Sequence, residues 1–141
     1  MIEREGYAFA SGLALGMVNL GAGLRQKQNS QTALLFKELQ LDQRLIRFVE
    51  GGKQMPLPRS MLSQIQLNET FKSSAVKEND MVNTTITAPG ALVALALIYL
   101  KSNDMQIVDK IKMPDTFQQM NNVTPHTLVL KVLTRNLIMW D

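Results

Sequence analysis

His126 is the single histidine of the 141-residue chain, and there is no cysteine. An imidazole acts as general base or metal ligand only beside a partner, a second histidine, a thiolate or a carboxylate. His126 directly follows Pro125 and its nearest acids are distant in sequence, so its position predicts a surface histidine in the first turn of a helix. Gly21-Ala22-Gly23 could open a phosphate-cradling loop, but it follows a helical pattern where a strand is needed, and Gln26 stands where the third glycine belongs. It reads as a helix stop. No glycine-flanked serine, Walker-type lysine loop or paired-carboxylate arrangement stands out, and the twelve acids are mostly single among polar neighbours. The residues therefore point away from an enzyme, and to no cofactor and no bound metal. Without thiols there is no disulfide frame either, which is compatible with a reducing compartment.

The elements that would carry any chemistry are apolar and helical in pattern. Hydrophobic residues make up 45% of the chain and charged ones 19%, enough to bury the core of one domain. Fifteen basic against twelve acidic side chains leave a net charge of +3, and no aromatic ladder interleaves with the basic stretch from 25 to 59. Nucleic acid is not an expected partner. Residues 6–24 and 81–100 hold no charged side chain, which raises the question of a membrane span. The first holds five glycines with Ser11 and Asn19. The second is continuously apolar only from Ala88 to Leu100, a rise of ~20 Å against a hydrocarbon layer of roughly 30 Å. Neither is expected to cross a membrane, and Met1-Ile2-Glu3-Arg4-Glu5 does not resemble a secretory leader.

Tyr7 to Leu20 reads as a helix closed by Gly21. Over 31–50, Leu34, Leu41, Leu45 and Phe48 form one stripe, which predicts an amphipathic helix with a break near Asp42 and a stop at Gly51-Gly52. Residues 51–86 change character: Pro56 and Pro58 forbid regular helix and polar residues follow Gln64. This segment reads as a loop or insertion that projects for partner contact, with exposed Ser60, Ser63, Ser73 and Ser74. Val82, Thr84 and Ile86 alternate, leaving room for a short β-strand over 81–87. Thr87-Ala88-Pro89 looks like a helix entry with Thr87 as cap, running to about Leu100. After a block from Asp104 to Ile111, Thr124-Pro125 opens a last helix. Leu128, Val129, Val132, Leu133, Leu137, Ile138 and Trp140 make it apolar on most sides, which predicts burial. The nine methionines, among them Met17, Met55, Met61, Met81, Met105 and Met139, read as filler between helical layers.

Residues 10–20 align with residues 90–100, eighty positions on, with matching size class at nine of eleven positions. Ala14 and Gly16 lie about 200° apart around a helix, and Ala94 and Ala96 repeat that arrangement, so both helices are thin on two flanks. A glycine inside a helix costs ~1 kcal/mol relative to alanine. Close approach of neighbouring helices would offset that loss at Gly12 and Gly16, as in a stacked array in which each helix touches the repeat before and the repeat after. Eighty residues is roughly twice the ~40 of common helical-pair repeats, so one unit is either replaced or swollen by the 51–86 insertion.

Gly12-Leu-Ala-Leu-Gly-Met-Val-Asn-Leu-Gly21 resembles the proteasome/cyclosome repeat, a helical hairpin shared by two proteasome regulatory subunits and the largest scaffold subunit of the anaphase-promoting complex. Three further stretches resemble the cyclosome branch: Arg44 through Gly52, Thr87 through Asn103, and Pro114-Asp115-Thr116 followed by Leu137-Ile-Met-Trp-Asp141. The resemblance covers most of the chain and is weakest from Lys53 to Val76. It implies an all-α fold, an α-α solenoid or toroid of helical hairpins, with residues 1–141 part of one repeat domain and 51–86 a partly irregular insertion within it. It implies a non-catalytic scaffold segment of a multisubunit ubiquitin ligase that drives exit from mitosis, in nucleus and cytoplasm. Partners would be other scaffold subunits, the cullin and RING pair, and substrate-recruiting factors. Gly12, Ala14, Gly16, Gly21, Gly90, Ala94 and Ala96 would pack the repeats. The alternatives are a scaffold of the proteasome regulatory particle and a small membrane-embedded helical protein. The chain reads as a fragment or a truncated gene product whose flanking helices present bare apolar faces.

Overall fold

The computed structural model describes residues 2–25, 31–56 and 80–141. They form α1 (Ile2–Val18), α2 (Ala22–Arg25), α3 (Gln31–Glu38), α4 (Leu41–Glu50), α5 (Thr84–Ile98), α6 (Met105–Lys110), α7 (Phe117–Asn121) and α8 (Pro125–Ile138). Among the described residues, extended pairing is limited to one isolated antiparallel bridge, Lys53 with Met81. The middle of the expected insertion, with Ser60, Ser63, Ser73, Ser74 and Met61, lies outside the described residues.

Local chemistry sets the helix boundaries. The break expected near Asp42 is present, at Leu39-Gln40: Gln40 takes a left-handed conformation with φ 49°. Arg44 covers the exposed end of α3 by donating from Nε to the Leu39 carbonyl at 2.9 Å. Asp104 caps α6 through its carboxylate, accepting from the backbone N–H groups of Gln106 and Ile107. Pro125 occupies the first turn of α8, where a missing N–H costs nothing.

The start of α5 differs from the sequence expectation in two ways. No strand forms over 81–87, because the pairing with 52–54 ends at Val82 and Thr84 to Thr87 already belong to the helix. Helix α5 starts at Asn83-Thr84, so Pro89 sits inside it and Thr87 is no cap. The carbonyl that Pro89 cannot satisfy belongs to exposed Thr85, within reach of water. Thr87 donates instead from Oγ1 to the Phe48 carbonyl at 2.8 Å, one of the last four carbonyls of α4, and so ties α5 to α4.

Three helices lie side by side in one direction. Gly12 of α1 meets Gly90 of α5, Gly16 meets Ala94 and Leu97, and Gly23 meets Tyr99, so the two helices climb together. On the other side, Thr134 of α8 donates to the Leu92 carbonyl at 3.1 Å, and the Lys101 and Asn103 N–H groups reach the Leu137 and Ile138 carbonyls, both at 3.0 Å. Thus α8 also runs parallel to α5. Helix α4 runs against α5 in the opposite direction, with Phe48 beside Thr87 and Gly51 beside Thr84. Short α6 is the corresponding descent before α8, its exit held by Arg135 and Lys131.

The core sits around α5, where Leu92, Ala94, Leu95 and Ile98 have no exposed surface. Ile107, Val108 and Ile111 from the α6 segment, Ile138 from α8, and Phe36 and Leu45 from α3 and α4 complete it. Phe36 meets Tyr99 edge to face at 6.4 Å, which anchors α3 against the end of α5.

Candidate helix-packing interface

The α1–α5 contact is made by backbone meeting backbone. A Cβ on Gly12 would collide with the Gly90 carbonyl, and one on Gly90 would collide with the Ala8 carbonyl. Both atoms are backbone and cannot swing away, so hydrogen is the one substituent that fits. One turn on, a Cβ on Gly16 would lie 3.1 Å from the Ala94 Cα and 2.8 Å from Leu97 Cδ1. Close approach of this kind increases dispersion contact along both helices.

The chain leaves α1 and α5 by the same device. Gly21, three residues past α1, has φ 68° and donates its N–H to the Leu97 carbonyl near the end of α5, at 3.1 Å. Lys101, three residues past α5, has φ 57° and donates to the Leu137 carbonyl near the end of α8, at 3.0 Å. Each left-handed residue thereby satisfies a carbonyl that its neighbour's helix leaves free. Gly21 and Lys101 are eighty positions apart, and so are the helix ends Val18 and Ile98. From α5 to α8 the offset is about forty, the length of a single helical-pair unit. Helix α1 packs directly on α5, with no further helix of the described residues between them.

Of the residues singled out in the sequence, Gly12, Gly16, Gly90, Ala94 and Ala96 are buried, and Gly21 is at the crossing turn. Ala14 faces outward. The outer flank of α1 carries Tyr7, Ala10, Leu13, Ala14, Met17 and Val18, all exposed. Burial of α8 on most sides is not what the structure contains: only Thr127, Thr134 and Ile138 are buried. Val129, Val132, Leu133 and Trp140 form an outward stripe, with Val129 65% and Trp140 58% exposed. Helix α5, flanked on both sides, has no such stripe. The methionines are corrected likewise, because Met17, Met81, Met105 and Met139 are exposed and do not fill helical layers.

His126 is exposed, with Nε2 3.2 Å from Thr124 Oγ1. Among the described residues no group of three His, Cys, Asp or Glu could hold a metal ion, and no helix is long and apolar enough to cross a membrane. Sequence reading passed over one cluster, Lys131 and Arg135. Their four-residue spacing puts both cations on one face of an otherwise apolar helix, a signal that was present. Lys131 donates to the Lys112 carbonyl and Arg135 to the Ile111 carbonyl, each at 2.9 Å. Partial burial pulls the Lys131 ammonium below the usual lysine pKa, and Glu50 partly offsets this.

The sequence model of the APC1 fifth domain matches residues 1–141. The chain belongs to the APC1 family. It is similar to "Anaphase-promoting complex subunit 1" of Mus musculus, 37% identical over 139 residues, which are 99% of this chain and 7% of that protein. The Arabidopsis thaliana protein of the same name is 36% identical over 141 residues, 100% of this chain and 8% of the relative. A protein from Emericella nidulans named "Negative regulator of mitosis" is 31% identical over 140 residues, 99% of this chain and 5% of its own length. The chain therefore spans less than a tenth of each of these APC1-family relatives.

Proposed function

We infer that the chain is a non-catalytic scaffold segment of the anaphase-promoting complex, a ubiquitin ligase that controls mitotic progression. One observation carries the reading. Helix α5 is covered on both sides by parallel neighbours, whereas α1 and α8, its counterparts in the row, each keep one apolar flank open. A row with two open ends is the geometry of an α-solenoid interior, in which further hairpins cover both flanks. Membership of the APC1 family supplies the assembly in which such a row would serve. Within it the partners are the other scaffold subunits, the cullin and RING pair and the substrate-recruiting factors, in nucleus and cytoplasm.

The test introduces Val129→Glu with Leu133→Glu into the full-length subunit that contains this segment and measures recovery of the other subunits by affinity purification. Loss of the assembled ligase, with ubiquitylation falling in proportion to assembly, is the expected result. An assembled complex that is fully recovered but catalytically dead would overturn a purely structural role. Normal assembly would overturn the buried-flank reading.

A further inference from the structure

Away from the two apolar flanks, the loop between α6 and α7 and the inner face of α8 enclose a surface pocket of about 560 Å³. Its wall carries Lys112, Lys131 and Arg135 against one carboxylate, Asp115. Among the described residues no acid lies within ion-pairing distance of the three cations; the polar contacts of Lys131 and Arg135 are with backbone carbonyls. Those two bonds hold both heads at the pocket wall and leave further donors of each unused. An ammonium has three donors and a guanidinium five. Gln119 and Asn122 add side-chain amides, and Met113, Pro114 and Val123 add an apolar rim.

We propose that this pocket binds a peptide through an oxyanion side chain, a carboxylate or a phosphate, seated between Lys131, Arg135 and Lys112. A planar guanidinium with free N–H groups matches either anion in a two-point fork, and the ammonium beside it supplies a second charge. The lining carries three cations against the single carboxylate of Asp115, and Glu50, outside the lining, offsets part of the burial of Lys131. Desolvation of Lys131 acts in the same sense, since an incoming anion restores the interactions that burial removes. The Pro114-Asp115-Thr116 turn has a role in this arrangement as the outer lip. Asp115 donates its backbone N–H to Gln119 Oε1 at 2.9 Å, which fixes that lip against α7. The pocket lining does not include the open-flank residues Val129, Val132 and Leu133 of α8.

Fluorescence anisotropy of the full chain with a labelled twelve-residue peptide tests this, using versions with a central Glu-Glu pair, a central phosphoserine or a central Gln-Gln pair. At least one of the two anionic peptides should bind about tenfold tighter than the neutral one, and which of them does so identifies the anion. Lys112→Met, at an exposed residue whose backbone carbonyl is what Lys131 uses, should weaken that peptide about fivefold with an unchanged thermal melt. Arg135→Lys keeps the charge but loses the fork, and should weaken it as well. Lys37→Met, on exposed α3, removes the same charge elsewhere and should change nothing. Equal binding of all three peptides, or equal weakening by Lys37→Met and Lys112→Met, would overturn the proposal.

Discussion

Gly12 and Gly90 face each other across α1 and α5 with no room for a Cβ on either side, because each would meet a backbone carbonyl of the opposite helix. This contact brings residues nearly eighty positions apart into register and makes α1 the direct neighbour of α5. It also explains why two helices tolerate glycines in their interiors.

Gly12→Ala should destabilise the chain by about 2–3 kcal/mol, since backbone must move to admit the methyl group. Gly6 lies in the same helix with nothing within 4 Å of the position a Cβ would take. Gly6→Ala should therefore stabilise the chain by about 0.5–1 kcal/mol through helix propensity alone. Paired urea titrations measure both, and equal effects would contradict the close-contact account.

The open flanks predict self-association of the isolated chain. Sedimentation velocity should show association that grows with concentration, and Met17→Glu with Leu133→Glu should reduce it. Both residues are exposed, so the unfolding free energy should move by less than about 0.5 kcal/mol. A monomeric wild-type chain with a cooperative melt would argue against uncovered stacking surfaces.

Arg44 ties two backbone segments to α4: it reaches the Leu39 carbonyl, and the adjacent Met55 and Pro56 carbonyls at 3.3 and 2.5 Å. Arg44→Met keeps the aliphatic stem and removes every donor. The expected cost is about 1–3 kcal/mol, with faster proteolysis around residues 51–56 at temperatures where the helices stay folded. Unchanged cleavage would mean that the clip does not restrain this segment.

Lys131 gives a pH signature whose sign follows from its depressed pKa. Below the folded value both states hold the proton, and the folded chain bears the full cost of a desolvated cation. As pH rises from the lowered folded pKa towards the ordinary lysine value of 10.5, the unfolded chain binds more protons, so stability rises. Wild type should gain on Lys131→Met over that interval when urea midpoints are compared. A constant difference would show that burial does not penalise the charge.

The buried hydroxyl of Thr134 tests the α5–α8 contact. Its Oγ1 donates to the Leu92 carbonyl from a site that is 1% exposed. Thr134→Val preserves shape and should cost about 1 kcal/mol in a thermal or urea melt. No measurable loss would mean that the bond contributes nothing to holding α8.

Much was readable from residue order alone because it depends on neighbours three or four positions apart. The helical class, the stop at Gly51-Gly52, the proline-led start of α8 and the size match between 10–20 and 90–100 are all local patterns. The extended-looking 82–86 alternation misled because β-branched residues suit a strand only when a partner strand exists, and here the segment adds a first turn to α5 instead. What folding alone decided was adjacency. That α1 lies directly on α5, that α8 is a third parallel helix about forty residues further on, and that Lys131 and Arg135 meet the 111–115 turn all depend on contacts between distant segments. Periodicity shows which face of a helix is apolar. It holds no information on which neighbour covers that face, because dispersion and hydrophobic burial are non-directional and the choice is made by the whole packed set.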